Sequence, residues 1–179
     1  MQESTDSELV LKAQQHDVRA AAELYNRHKQ AIYHYALRLL QCVESAEDAV
    51  QTTFLKFLTS LDQLHNCAAV KGWLYAIARN EVYSQLRRKR GNGSLDDVEV
   101  IDEETPHEQL VHTEEIELVQ VMLTRLKAEH REVLHLLEYE RLSYEEIAGI
   151  TGVSVSAVES RIFRARKELA KKILTYYKD

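Results

Sequence analysis

The chain has 179 residues with a net charge of −6, 45% hydrophobic and 29% charged residues, five glycines and a single proline. So few chain-breaking residues argue against an all-β protein and for long helices, and two cysteines are too few for a disulfide framework or a four-ligand zinc site. No apolar run approaches the roughly 20 residues of a membrane-spanning helix, and the acidic N-terminus is unlike a secretory signal, so we expect an all-α, soluble, cytoplasmic protein.

The first part of the chain is predicted to contain four helices, over residues 5–15, 17–41, 45–61 and 72–90. Asp17 is the expected N-cap of the second helix. Ser45 followed by Asp48 resembles a capping box and marks the expected start of the third helix. The helical periodicity is lost over residues 62–71, which are predicted to form a loop.

One face of the fourth predicted helix combines an aromatic ring, an amide, a hydroxyl and a basic end, namely Trp73, Asn80, Ser84, Arg87 and Arg88. Such a set suits single-stranded nucleic acid, because the ring stacks on a base, the amide bonds a base edge and arginines hold phosphates. An amphipathic helix with a half-buried tryptophan and a solvated basic end has the same pattern. The residues alone leave both interpretations open.

An acidic segment separates two nearly neutral blocks. Residues 91–118 contain ten acidic residues and no Lys or Arg, whereas residues 1–90 and 119–179 each carry a net charge of +2. Like charges repel and resist packing, so a linker is predicted over residues 91–113, between domains at 1–90 and 114–179. The linker is either a solvated tether or an imitation of nucleic acid that occupies a basic channel in a partner.

The last part of the chain is predicted to form four further helices, over residues 114–126, 129–140, 144–151 and 155–176. Ser143 with Glu146 fits a capping box, Gly152 stands where a helix end favours a left-handed residue, and Ser154 is the next N-cap. A short helix, a tight turn with glycine and a longer helix indicate a helix-turn-helix.

The last helix has a predicted core stripe of apolar residues, namely Val155, Val158, Ile162, Ala165, Leu169 and Ile173. Its predicted outer face carries hydroxyls, basic groups and an off-stripe aromatic ring, namely Ser156, Ser160, Phe163, Arg164, Lys167 and Lys171. In a helix-turn-helix such a face meets base edges with its first half, while its basic residues hold phosphates.

Three segments carry a resemblance to a known family: AEDAVQTTFLKF (46–57), WLYAIARNEVYSQLRR (73–88) and LSYEEIAGITGVSVSAVESRIFRARKEL (142–169). In this order and at this spacing they resemble bacterial RNA polymerase sigma factors of the extracytoplasmic-function (ECF) type, within the sigma-70 family. The resemblance implies a four-helix sigma-2-like domain over 1–90 and a sigma-4-like helix-turn-helix domain over 114–179. It favours the nucleic-acid-mimicking linker.

The resemblance also implies an alternative sigma factor without catalysis, cofactor or metal. The implied partners are core RNA polymerase, through the clamp helices of its largest subunit and its flap region, promoter DNA, and an anti-sigma factor that can hold the protein at the inner face of the membrane. The implied polymerase-binding residues are Glu47, Asp48, Gln51 and Lys56. The implied residues that bind the −10 element, from which one base of the non-template strand is flipped out, are His65, Asn66, Lys71, Trp73, Asn80, Ser84, Arg87 and Arg88. Those for the −35 element are Ser156, Glu159, Ser160, Arg161, Phe163, Arg164 and Lys167.

Glu159 departs from the family pattern, because many relatives have Lys or Arg there. Glutamate accepts from cytosine N4 but repels phosphate, so either the −35 preference is unusual or Glu159 faces solvent.

Two other function classes are considered. A stand-alone helix-turn-helix regulator leaves residues 46–57 unexplained. An enzyme using His130, Glu132 and His135 as metal ligands is disfavoured, because histidines five residues apart do not share a helix face.

Overall fold

The computed structural model describes residues 4–91 and 114–178, and the predicted linker from residue 92 to residue 113 lies outside them. Within the described residues the chain is all-α, as predicted, with eight helices and no β-strand. None of these helices combines the length and the apolar composition that crossing a membrane requires. The domain limits at residues 90 and 114 stay a prediction.

The first block contains α1 (Asp6–Gln14), α2 (Val18–Leu40), α3 (Val43–Thr59) and α4 (Val70–Gly91). Two 3-10 turns, Leu61–Gln63 and Cys67–Ala69, cover half of the loop predicted over residues 62–71. The predicted N-cap of α2 is confirmed, since the Asp17 carboxylate accepts from the backbone N–H groups of Arg19 at 2.9 Å and Ala20 at 3.2 Å. Helix α4 begins two residues earlier than predicted and includes Gly91, which was assigned to the linker.

The predicted capping role of Ser45 is wrong, because α3 already begins at Val43. Helix α2 ends at a left-handed residue, Gln41, whose φ is 52° and whose N–H donates to the Leu37 carbonyl. Cys42 is extended and serves as the N-cap residue of α3 without a side-chain cap bond. The connection between α2 and α3 therefore needs only two residues, and Ser45 lies inside the helix.

Aromatic and aliphatic side chains from α2, α3 and α4 form the core of the first block. The Tyr35 and Tyr75 rings meet edge to face at 5.3 Å, and both side chains are essentially fully buried. Phe57 is also fully buried and contacts the half-buried Trp73 at a centroid distance of 5.8 Å. Burying a side chain of this size contributes roughly 1.5–3 kcal/mol, so these contacts fix α4 against α2 and α3.

The second block contains α5 (Glu114–Thr124), α6 (Ala128–Glu138), α7 (Tyr144–Thr151) and α8 (Val155–Tyr176). The predicted capping box is confirmed, because the Ser143 hydroxyl accepts from Glu146 N–H at 3.2 Å and the Glu146 carboxylate accepts from Ser143 N–H at 2.8 Å. Gly152 ends α7 with φ 70°, and Ser154 caps α8. The helix-turn-helix is therefore built as the sequence predicts.

Helix α8 packs on α5 and α6 through the middle of its predicted stripe. Val158, Ile162 and Ala165 are buried, whereas Val155 is 39% exposed. The prediction that Val155 belongs to the core is therefore wrong: it is the first residue of α8, before the helix reaches the core contact. A short contact of 2.6 Å between His130 Nδ1 and the Glu168 carboxylate also joins α6 to α8.

Candidate functional site

An open groove of about 640 Å³ runs between α2 and α3 on the first block. Its lining residues are Tyr25, Lys29, Gln30, Tyr33, Glu47, Val50, Gln51, Phe54, Leu55 and Leu58. Leu55 is 59% exposed and Leu58 is 47% exposed, so the groove presents apolar surface to solvent beside polar side chains. A surface of this composition is suited to bind a protein helix, whose apolar side chains the exposed leucines would cover.

The four predicted polymerase-binding residues lie on two different faces of α3. Glu47 and Gln51 line the groove. Asp48 is exposed but is absent from the lining. Lys56 faces α4, where its ammonium donates to the Glu81 carboxylate at 2.8 Å. Only two of the four predicted residues therefore lie together in the groove.

The ion pair between Lys56 and Glu81 joins α3 to α4. Glu81 is 6% exposed, and a buried carboxylate needs a charged partner. The hydrogen bond from Lys56 lowers the pKa of Glu81, against the opposing effect of burial, and a hydrogen bond from Gln85 adds to the lowering. Lys56 therefore fixes the position of α4.

Eight of the ten residues that line the groove were not predicted as binding residues, among them Tyr25, Leu55 and Leu58. Tyr25 of α2 is 41% exposed, and its ring meets that of Phe54 edge to face at 4.8 Å. A signal was present in α3, because Leu55 and Leu58 follow Gln51 by four and seven residues and so share its helix face. Two exposed leucines on one face with a glutamine indicate a binding surface.

The predicted polar face of α4 is present in the structure. Asn80, Arg87 and Arg88 are exposed, and one Arg88 nitrogen donates to the Ser84 hydroxyl at 3.3 Å. Trp73 lies at one end of this face. Its side chain is half-buried against Phe57, and this contact holds the Trp73 ring in place. The rigid ring and the exposed amide and guanidinium groups form a surface that can contact bases and phosphates.

Two residues beside this face were missed by the sequence prediction. The Arg79 guanidinium lies 4.5 Å from the centroid of the Tyr83 ring, in a cation–π contact between residues four apart. Their spacing was the only available signal. The pair adds a planar, cationic element next to Asn80.

The three remaining candidates for −10 binding lie at and just before the start of α4. His65 and Asn66 are exposed, and the Asn66 side chain accepts from Ala68 N–H at 3.2 Å. Lys71 belongs to α4 rather than to the predicted loop. The Gln14 side chain donates to the carbonyls of residues 61 and 64, at 2.9 and 3.1 Å, and so fixes this connection against α1.

Six of the seven candidates for −35 binding are exposed on α8: Ser156, Glu159, Ser160, Phe163, Arg164 and Lys167. Phe163 is 68% exposed, which confirms that it lies off the core stripe. Arg161 differs, because it points toward α6, where it lies 3.9 Å from Glu129 and is only 18% exposed. The exposed surface therefore combines hydroxyls, one carboxylate, one aromatic ring and basic groups.

The histidines of α6 are engaged in packing contacts. His130 contacts Glu168, and the buried His135 ring stacks on Tyr139 at 5.3 Å. Across the described ranges, no group of three or more His, Cys, Asp or Glu side chains is placed to hold a metal ion.

Comparison with known proteins decides the family. The model of "Sigma-70 region 2" matches residues 24–91, and that of "Sigma-70, region 4" matches residues 116–169. The chain is 36% identical over 154 residues to RNA polymerase sigma factor YlaC of Bacillus subtilis, which covers 83% of this chain and 89% of the relative. The chain belongs to the sigma-70 family.

Further similarities place this sigma factor in the ECF group. It is 32% identical over 181 residues to the ECF RNA polymerase sigma-E factor of Haemophilus influenzae, covering 94% of this chain and 95% of the relative. It is also similar to the solved sigma factor RpoE of Bartonella quintana, a structure in complex with the anti-sigma factor NepR. That match has a TM-score of 0.69 and 30% identity over 86% of this chain and 96% of the other. These matches confirm the predicted resemblance to ECF sigma factors and the two-domain, all-α fold that it implies.

Proposed function

We propose that this protein is an alternative sigma factor that binds core RNA polymerase, directs it to specific promoters and catalyses no reaction itself. The proposal rests on the match of both sigma-70 regions, with region 2 before region 4 along the chain. The helices in these two regions expose three separate surfaces. These surfaces are the groove of α2 and α3, the polar face of α4 and the outer face of α8.

The groove of α2 and α3 is the proposed binding site for the clamp helices of the largest polymerase subunit. Glu47 and Gln51 supply hydrogen-bonding groups there, and Leu55 and Leu58 supply apolar area that binding would remove from water. Asp48 is proposed to extend the contact at the edge of the groove. The C-terminal domain is proposed to contact the flap region of the polymerase.

The polar face of α4 is the proposed −10 surface. Flipping a base out of the stack costs a few kcal/mol, so a preformed surface is needed to receive it. The exposed Asn80 amide can bond a base edge, the fixed Trp73 ring can stack, and Arg87 and Arg88 can hold phosphates. His65, Asn66 and Lys71 are proposed to complete this surface at the start of α4.

The outer face of α8 is the proposed −35 surface. In helix-turn-helix proteins the second helix enters the major groove, and the first half of α8 carries the exposed side chains for base contacts. Arg164 and Lys167 are proposed to contact phosphate or bases. Arg161, which lies 3.9 Å from Glu129, is proposed to contact a phosphate.

The proposed location is the cytoplasm, with an anti-sigma factor as a further partner. Support comes from the RpoE structure, in which that related sigma factor is bound by an anti-sigma factor. For the acidic linker we propose the nucleic-acid-mimicking role inside the polymerase, on the basis of its charge alone.

The polymerase contact is tested by changing one groove residue. Leu55→Glu places a charge on the apolar part of the groove, and we expect it to prevent co-elution of the full-length protein with core polymerase in size-exclusion chromatography. Leu11→Glu is the matched control, because Leu11 is 51% exposed on α1 and does not line the groove. Co-elution of Leu55→Glu at the wild-type level would contradict the proposed site.

A further inference from the structure

Glu159 presents an uncompensated acceptor on the outer face of α8. It is the only acidic residue from Ser156 to Lys167, its side chain is exposed, and within the described residues no hydrogen bond or ion pair engages its carboxylate. The arginines nearby have other contacts: Arg161 lies 3.9 Å from Glu129, and Arg164 Nε donates to the Ser160 carbonyl at 3.1 Å. The carboxylate is therefore available for a partner outside the chain.

Phe163 presents an apolar ring on the same face. It follows Glu159 by four residues, so both side chains project from one side of α8, about 6 Å apart along the helix axis. Its ring is 68% exposed, although removal of an aromatic ring from water is favourable. Since base pairs are stacked about 3.4 Å apart, the two side chains can reach bases within two base pairs of each other.

The chemistry of the major groove distinguishes the bases that these two side chains accept. A carboxylate needs a donor, and cytosine itself presents only the donor of its N4 amino group there, whereas guanine presents only acceptors. Adenine offers a donor but also an acceptor at N7, which repels a carboxylate. An apolar ring is complementary to the C5-methyl group of thymine.

We propose that Glu159 and Phe163 determine the −35 preference of this protein. Glu159 accepts a hydrogen bond from the N4 amino group of a cytosine, and Phe163 contacts the methyl group of a thymine within two base pairs of it. This inference rests on the proposed function, because it requires α8 to enter the major groove of the promoter. A glutamate at position 159 should therefore discriminate against guanine, which presents only acceptors in the major groove.

Selection from a randomised promoter library tests the inference. Full-length protein with core polymerase transcribes a library built on a promoter that the wild-type holoenzyme uses, with only the −35 region randomised, and the templates of the transcripts are sequenced. We expect the wild type to favour cytosine over guanine at one position by about tenfold or more. Glu159→Gln should shift that position from cytosine to adenine, since glutamine both donates and accepts. Phe163→Ala should abolish the thymine preference nearby.

The control is Glu145→Gln, which removes the same charge from an exposed position on α7 and should leave every base preference unchanged. A selected −35 motif whose bases are the same for the wild type, Glu159→Gln and Phe163→Ala would overturn the inference and leave the proposed function standing. Failure of the wild type to bind core polymerase or to initiate at any shared motif would overturn the proposed function, and the inference with it.

Discussion

Asn80 and Glu81 are neighbours in the sequence but point into opposite environments. The Asn80 side chain is exposed on the polar face of α4, whereas Glu81 is 6% exposed and bonded to Lys56. Asn80 therefore belongs to the proposed −10 surface, whereas Glu81 joins the helix that carries this surface to α3. The two roles predict different consequences of substitution.

Glu81→Gln should lower the free energy of unfolding of the N-terminal domain by about 1 kcal/mol at pH 7, because a charged hydrogen bond becomes a neutral one. Lys56 lowers the pKa of Glu81 below its ordinary value of 4.5, so the ion pair contributes its full stability above that value and loses it as the pH falls further. The difference between wild type and variant should therefore shrink below pH 4.5. Urea unfolding followed by the fluorescence of Trp73 measures it.

The control for this pH dependence is Glu44→Gln, at an exposed position in the first turn of α3. It should leave the free energy of unfolding within about 0.5 kcal/mol of the wild-type value at pH 7. A Glu81→Gln variant that stays destabilised by the same amount at pH 7 and pH 3.5 would refute the assigned ion pair.

Asn80→Ala should reduce the yield of open promoter complexes more than the affinity for core polymerase. The reason is that the side chain is exposed on the proposed −10 surface and away from the groove of α2 and α3. Permanganate footprinting of the melted region measures the yield. Asn26→Ala, at another exposed asparagine on α2, is the control, and an equal yield from both variants would contradict the role of Asn80.

At the scale of elements, sequence reasoning succeeded where side chains define a helix end. The bounds of α7 and α8 agree with the prediction because Ser143, Gly152 and Ser154 are specific local signals. The start of α3 was misplaced because the real connection uses a left-handed Gln41 and an uncapped Cys42, neither of which has a strong signature.

The candidate site shows the same division. The polar face of α4 and the outer face of α8 each belong to one helix, so helical spacing was enough to predict them. The groove needs two packed helices, and the exposure of Tyr25 and Leu55 depends on how α2 meets α3. The pairing of Lys56 with Glu81 likewise depends on tertiary contact, which a single sequence does not contain.

Two glycines, one inside α7 and one in the turn that follows it, should change the melting temperature in opposite directions when replaced by alanine. Gly152→Ala should lower the melting temperature, because an alanine at φ 70° is strained by about 1 kcal/mol. Gly149→Ala should raise it, because this exposed glycine lies within α7, its Cβ would meet no neighbouring atom, and alanine is the better helix former. Circular dichroism melting measures both. Equal shifts in the same direction would contradict the left-handed turn.

At the scale of the whole molecule, charge layout explains how an acidic protein can direct DNA binding. The net charge of −6 arises from the acidic segment 91–118, while both flanking blocks are slightly basic. We therefore expect the acidic segment to oppose tight binding of the free protein to DNA, and core polymerase to supply most phosphate contacts.

Neutralising the linker should expose this effect. Replacing the seven acidic residues between 96 and 108 by Asn or Gln changes the net charge from −6 to +1. We expect the free variant to bind non-specific duplex DNA several-fold more tightly than the wild type at low salt, and the difference to vanish at 1 M salt, where charges are screened. Fluorescence anisotropy measures both affinities. Equal affinities at low salt would contradict the proposed effect of the linker.

The proposed function requires this chain to direct core polymerase to its own promoters. The most direct test mixes the purified full-length protein with bacterial core RNA polymerase, isolates the complex by size, and sequences transcripts made from fragmented genomic DNA of the source. We predict a one-to-one complex whose transcripts start downstream of a shared pair of −35 and −10 motifs. A protein that fails to bind core polymerase but binds duplex DNA tightly as a dimer would contradict the account and indicate a stand-alone regulator.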